Sequence, residues 1–203
     1  MRIYRGTYKI VAMIIIPFTV LFSLQISAQD SINMHYTFSQ TNSNYSFYGS
    51  FKLIALPECL LEISFNHEHI KALALDAKEV ELISQGKNWN QIRYTYQEFP
   101  FYKNVSLWQR VYNQENRRVD FTLITSKNSH SLMPRMISSS GYYKITQQGE
   151  YVIMEYFQQC QLTEEYITKL YLNRAKKKAK EFLYLFSDYA RSYCGNAQSK
   201  KIH

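Results

Sequence analysis

Among the residues able to do chemistry, Arg110 and Glu155 form the sharpest pair. Each falls in a stretch of strand-like alternation, Val105 to Tyr112 and Tyr151 to Gln158, so each faces either the core or water according to register. If both face inward they must pair, because an unpaired buried charge is too costly to persist, and the pair would orient a ligand's hydroxyl or carboxylate. The opposite register puts both in water, the commoner fate of charged side chains. His67 and His69 are two apart, a spacing that does not share a helix face, and no acid or cysteine stands at ligand spacing, so no metal is implied and both read as surface residues. Ser138-Ser139-Ser140-Gly141 lacks the Gly-x-Ser-x-Gly elbow of a hydrolase, and no residue is assigned a catalytic role. The sequons Asn44-Tyr45-Ser46 and Asn104-Val105-Ser106 are too short a pattern to receive one either.

The three cysteines, Cys59, Cys160 and Cys194, allow at most one intramolecular disulfide and contain no CxxC. Cys59 and Cys160 read as small buried hydrophobes, with a Cys160 to Cys194 bridge left open. Six glycines in 203 residues leave little for a phosphate cradle, and no cofactor is implied. What the composition favours instead is a large aromatic interior or cavity, since the chain carries 18 Tyr and 12 Phe and is 46% hydrophobic.

Arg2, Arg5 and Lys9 precede an apolar run from Ile10 to Leu24, and Ile26-Ser27-Ala28 follows. That is the layout of a secretory signal, with cleavage expected after Ala28; the run is shorter than the roughly 20 residues of a membrane-spanning helix. An N-terminal membrane anchor is the alternative. Loss of the leader lowers the net charge from +8 to +5, with 21 basic against 16 acidic residues. Export argues against a nucleic-acid partner, and most of the excess charge lies in Arg174-Ala175-Lys176-Lys177-Lys178-Ala179-Lys180, a solvated helix face or a contact for anionic membrane. The expected divisions are signal 1–28, polar lead 29–43, one domain 44–190 and polar tail 191–203.

Within the domain, Tyr45, Phe47, Phe51 and Leu53 alternate with polar neighbours as a half-buried strand. Pro57 suits a first helical position and Asn66 an N-cap, which gives two short helices. Strands follow over Val80 to Ile83, Ile92 to Tyr96, Val105 to Tyr112, Val119 to Leu123, Ile137 to Ile145 and Tyr151 to Gln158, joined by turn-like Gln85 to Asn88, Asn113 to Asn116 and Gly149. A long helix starts near an N-cap at Thr163, with Glu164 and Glu165 in its first turn. Ile167, Tyr171, Ala175, Ala179, Phe182, Phe186 and Tyr189 form its apolar stripe, thinned at the alanines, and Lys169, Lys176 and Lys180 lie opposite. Arg174 and Lys178 sit at the stripe's edge, where snorkelling is the favoured role and contact with a polar ligand group the alternative.

Strand, two short helices, a run of antiparallel strands and a long terminal helix resemble the helix-grip fold of the START-like superfamily (StAR-related lipid-transfer and Bet v 1-like, SRPBCC). Phe65-Asn66-His67-Glu68-His69-Ile70 before Lys78 to Ile83, Phe99-Pro100-Phe101 before Trp108-Gln109-Arg110-Val111, Asp120-Phe121-Thr122-Leu123, Ser140-Gly141-Tyr142-Tyr143 and Met154-Glu155-Tyr156 carry the resemblance over about Tyr45 to Tyr189. The segment before the last helix departs from it, with Gln158-Gln159-Cys160-Gln161-Leu162-Thr163 in place of Gly and Pro.

The expected fold is thus α+β, with a curved antiparallel sheet of about seven strands and a long C-terminal helix over it. Such a sheet encloses a gap unless large side chains fill it. Inward positions by alternation are Phe47, Phe51 and Leu53; Ile92, Tyr94 and Tyr96; Val119, Phe121 and Leu123; and Ile137, Tyr143 and Ile145. Two registers stay open: Trp108-Arg110-Tyr112 or Leu107-Gln109-Val111, and Ile153-Glu155-Phe157 or Val152-Met154-Tyr156. The expected cavity set is Phe47, Phe51, Tyr94, Tyr96, Arg110, Phe121, Tyr143, Glu155, Phe182 and Phe186. The leading expectation is a non-enzymatic binder of a hydrophobic small molecule or lipid. The resemblance also implies polyketide cyclase-like or dehydratase-like enzymes, and a third class is an envelope interaction protein whose aromatics fill the gap.

Overall fold

The computed structural model describes residues 34–99, 102–129, 134–163 and 168–199. The signal-like segment 1–28, Pro100 and Phe101, and the helix-start residues Glu164, Glu165 and Ile167 lie outside the described residues. The chain order is β1 (His35–Thr41), β2 (Asn44–Leu53), α1 (Pro57–Phe65), α2 (His67–Leu73), β3 (Glu79–Gln85), β4 (Trp89–Phe99), β5 (Tyr102–Asn113), β6 (Arg118–Asn128), β7 (Met136–Gln148), β8 (Tyr151–Leu162) and α3 (Thr168–Ser199). All strands pair antiparallel in one curved, unclosed sheet of order β1-β2-β8-β7-β6-β5-β4-β3.

The eighth strand, β1, lies in the stretch read from sequence as a polar lead. Ser39, Gln40 and Thr41 hide it compositionally, yet Phe38 stacks on Tyr45 at 5.5 Å and Tyr36 on Phe47 at 6.4 Å across the β1–β2 pair. The turn places Asn42 at φ 52°, which Asn tolerates better than most residues. Local chemistry elsewhere follows the sequence. Pro57 opens α1, the Asn66 side chain accepts from the Glu68 amide at the start of α2, and Gly149 takes φ 62° in the β7–β8 turn.

The main core joins β2, β8, α1 and the second half of α3, with Phe47, Phe51, Leu60, Ile63, Met154, Leu183 and Phe186 almost wholly buried. Each such side chain contributes about 1.5–3 kcal/mol. Helix α3 makes its main approach to the sheet along β2, where Leu183 packs over Gly49. A Cβ at Gly49 would stand 2.7 Å from a Leu183 methyl, so glycine is what admits the helix this closely. The stripe also includes Leu172, Leu183, Ala190 and Cys194, all buried, which explains why α3 runs on to Ser199 through the segment read as a polar tail.

The disulfide joins Cys59 of α1 to Cys194 of α3, 135 residues apart and 5.9 Å between Cα atoms. This corrects two readings: Cys59 is no free hydrophobe, and Cys160 does not pair with Cys194. Cys160 is free and buried beside Leu162 and Leu172, and burial pushes its thiol up to about 11. His69 is also corrected, from surface to buried. Its Nδ1 lies 2.8 Å from the Tyr189 hydroxyl and its ring packs edge-on to Tyr193.

Because the bond closes a loop of well over 100 residues, chain-entropy reasoning assigns it about 2–5 kcal/mol. Cys59→Ser with Cys194→Ser should lower the urea midpoint accordingly, and a reductant should reproduce the shift in the parent protein. Unchanged midpoints in both would show that the bond contributes nothing to stability.

Candidate ligand cavity between the sheet and the last helix

Burial settles the two open registers. On β5, Asn104, Ser106 and Arg110 are buried with Trp108 and Tyr112 on the same face; on β8, Val152, Met154, Tyr156 and Cys160 are buried. Arg110 therefore faces the concave side, whereas Glu155 lies on the convex face. There Glu155 accepts a hydrogen bond from the Tyr48 hydroxyl at 2.9 Å and sits 3.8 Å from Lys144 Nζ. The two cannot pair, and Glu155 is no cavity residue. Ile137 is a second correction. A bulge between Met136 and Ser138 breaks the alternation, leaving Ile137 52% exposed while Met136 packs inward.

The expected aromatic set otherwise lines the concave face, in two parts. One part is solid. Tyr156 is its hub, 5.9 Å from Phe47, 5.8 Å from Phe121, 5.1 Å from Tyr143 and 5.2 Å from Phe182, and Phe186 joins Phe51 and Tyr143 at 5.8 and 5.9 Å. Such ring pairs add about 0.5–1.5 kcal/mol each beyond buried area.

The other part is not closed. Tyr94 and Tyr96 stack on one another at 6.3 Å on β4, opposite Ser106 and Asn104 of β5. Tyr94, Tyr96 and Tyr143 keep intermediate accessible area, with Tyr94 packed on one side against Ile70, Val80 and Ile92. On the helix side Ala175, Ala179 and Phe182 are likewise only half-buried. These residues mark the thin part of the α3 stripe, between buried Leu172 and buried Leu183. Lys178 closes its flank, 2.9 Å from Asp76 in the α2–β3 connection and 3.3 Å from Glu181, rather than snorkelling over the stripe.

Arg110 sits at the α1 end of this face, 3% exposed, with its guanidinium donating from Nη2 to the Ser64 carbonyl and lying 5.6 Å from the Tyr143 ring. Beside it, Asn90 Nδ2 donates to the Phe65 carbonyl at 3.0 Å. Both bonds satisfy carbonyls at the end of α1 that the helix cannot satisfy itself. Burial raises the phenols of Tyr94 and Tyr143, and the Arg110 charge opposes that rise in both. Tyr45, Tyr96 and Tyr156 are raised chiefly by burial as well. No described Asp or Glu is buried, and no cluster of three metal-ligating side chains occurs among the described residues.

The sheet order, the paired short helices and the closing α3 make this a helix-grip fold. Solved structures of that class superpose on the chain. A STAR-related lipid transfer protein from Xanthomonas axonopodis gives a TM-score of 0.63 at 10% identity, covering 81% of this chain and 97% of its own. A START superfamily protein from Mycobacterium smegmatis gives 0.54 at 11%, covering 75% and 98%. An aromatase/cyclase from Streptomyces sp. R1128 gives 0.57 at 10%, covering 78% and 94%. No family model and no curated protein matches the sequence.

The five raised phenols have a consequence for stability. Above the ordinary phenol value near 10, the unfolded chain loses protons that the folded chain keeps. Stability is therefore full below about pH 10 and falls as pH rises toward the folded values, by up to about 1.4 kcal/mol per pH unit for each phenol. Urea midpoints measured from pH 8 to 11.5 should stay level and then drop steeply. A midpoint that stays level throughout would mean that these hydroxyls ionise freely in the native protein.

Proposed function

We propose that this protein is an exported carrier that holds a hydrophobic or amphipathic molecule, in the first instance a lipid, between the sheet and α3. The observation that carries the reading is that Tyr94, Tyr96 and Tyr143 on the sheet, and Ala175 and Ala179 on the stripe of α3, are only half-buried although they lie on the faces that the fold turns inward. Binding would draw on desolvation and shape, with aromatic faces supplying most of the contact. Admission would occur on the flank of Lys178 and Asp76, between the buried Leu172 near the start of α3 and the part of the helix held by Leu183 on Gly49 and by the disulfide. Both partners of that ion pair are more than half exposed, so it resists opening by no more than about 1 kcal/mol.

Export is supported by the signal-like start and by a disulfide, a bond that persists in oxidising compartments. Lys176, Lys177 and Lys180, all exposed on α3, would favour docking to an anionic membrane during loading or release. The likeness to an aromatase/cyclase keeps an enzymatic reading in view. The carrier is preferred because no described carboxylate is buried to serve as an acid or base, while burial keeps the cavity phenols protonated.

Native mass spectrometry of the purified mature protein should reveal a co-purified lipid-sized ligand. Ala179→Trp, which fills the thin part of the stripe, should reduce its occupancy at least about tenfold while the fold persists by circular dichroism. Ligand-free parent protein that binds no lipid offered to it would reject the carrier. Independently, binding to vesicles containing phosphatidylglycerol should weaken as salt rises from 50 to 500 mM and weaken further on reversing the charges of Lys176, Lys177 and Lys180; binding indifferent to both would reject membrane docking.

A further inference from the structure

Arg110 is a buried cation that no carboxylate among the described residues neutralises. Its Nη2 is used by the Ser64 carbonyl, but Nη1 has no hydrogen-bond partner, and no carboxylate lies within ion-pair distance among the described residues. The carbonyl end of α1 offers partial compensation, since a helix C-terminus carries about half a negative charge, spread over several groups. Across the β4–β5 ladder, directly opposite Arg110, Asn90 Oδ1 is buried and unpartnered too, although its Nδ2 is satisfied. Two buried polar atoms on directly paired residues, one a charged donor and one an acceptor, are thus left over after α1 is capped. Buried groups of this kind are costly unless something meets them.

We propose that the missing partner is the ligand's own head group, a carboxylate accepting from Arg110 Nη1, so that the preferred cargo is a hydrophobic acid rather than a neutral lipid. A hydroxyl on the same molecule, or a water held by it, supplies the donor for Asn90 Oδ1. The apolar body of the ligand extends from this seat past Tyr143 and Tyr94 toward Ala179, where the accessible aromatic area lies. An ester or amide of the same body accepts a hydrogen bond but brings no charge, and leaves the guanidinium uncompensated in a low-dielectric site. Charge-assisted hydrogen bonds are roughly twice as strong as neutral ones, which gives the seat its selectivity. The proposal rests on the carrier reading and goes further by naming the head group.

The experiment compares three fluorescent probes with one 18-carbon conjugated polyene chain: the free acid, its methyl ester and the corresponding alcohol. At pH 7.5 the parent protein should bind the acid at least about tenfold more tightly than the ester or alcohol. Arg110→Met should abolish the preference, bringing acid and ester to the same affinity, and Arg110→Lys should retain part of it. Equal binding of all three probes by the parent protein overturns the carboxylate seat but leaves the carrier standing. This arm needs no variant, so a poorly folded Arg110→Met does not remove the test. Acid preference surviving in a folded Arg110→Met also overturns the seat. Binding of none of the probes overturns the carrier and the seat together.

Discussion

The structure depends on where α3 is allowed to touch the sheet. Leu183 reaches the backbone of β2 because Gly49 presents no side chain, and the Cys59–Cys194 bond holds the following turns against α1. Between those places and the buried Leu172 near its start, the helix crosses the concavity of an open sheet at a distance that side chains have to fill. Phe182 and Phe186 fill it where they meet Tyr156 and Tyr143. Ala179 and Ala175, one and two turns earlier, are shorter and only half-buried, while Leu172 docks the start of the helix on Cys160 and Leu162 of β8. The alanines thus lie between two anchored stretches of α3.

Register decides the charge inside that concavity. Side chains alternate along a strand, so a shift by one residue would have exchanged Arg110 with Gln109 and Tyr156 with Glu155 on the concave face. The arrangement found puts a guanidinium in and a carboxylate out, separating the pair that would have cancelled. Glu155 keeps partners on the convex face, where Tyr48 and Lys144 meet it in partial solvent. Arg110 donates to the Ser64 carbonyl at the end of α1, where the helix C-terminus partly offsets its charge. Its position ends α1 against the sheet and sets a guanidinium 5.6 Å from the Tyr143 ring.

Much of this was legible in the sequence, and the limits have physical reasons. Alternation over Tyr45 to Leu53 and the three-four spacing of the α3 stripe identify elements directly, because buried faces repeat with the period of the backbone. Strand β1 escaped that reading since its last three residues are polar and its stabilisation comes from ring stacking across a pair that does not exist until β2 is placed. Ile137 escaped because a bulge is a property of two strands together. Cys59 and Cys194 are 135 residues apart, and nothing local distinguishes them from Cys160; only the docking of α1 on α3 does. His69 followed the same course, its burial set by Tyr189 and Tyr193 on a helix more than 100 residues away.

The division of the concave face into a solid part and an open part also bears on how a cavity can be tolerated. Empty apolar space forfeits contacts, so a fold with a hollow must be stable for reasons located elsewhere. Here those reasons cluster at one end: the Tyr156-centred rings, the α1 packing and the long-range disulfide all act on the second half of α3. The first half is docked by buried Leu172 beside Cys160 and Leu162, and the turns that follow meet the α2–β3 connection through an exposed ion pair, one of the weakest contacts a protein makes. An opening confined to those turns would leave the Tyr156-centred rings packed, because a sub-global opening costs only the contacts it breaks.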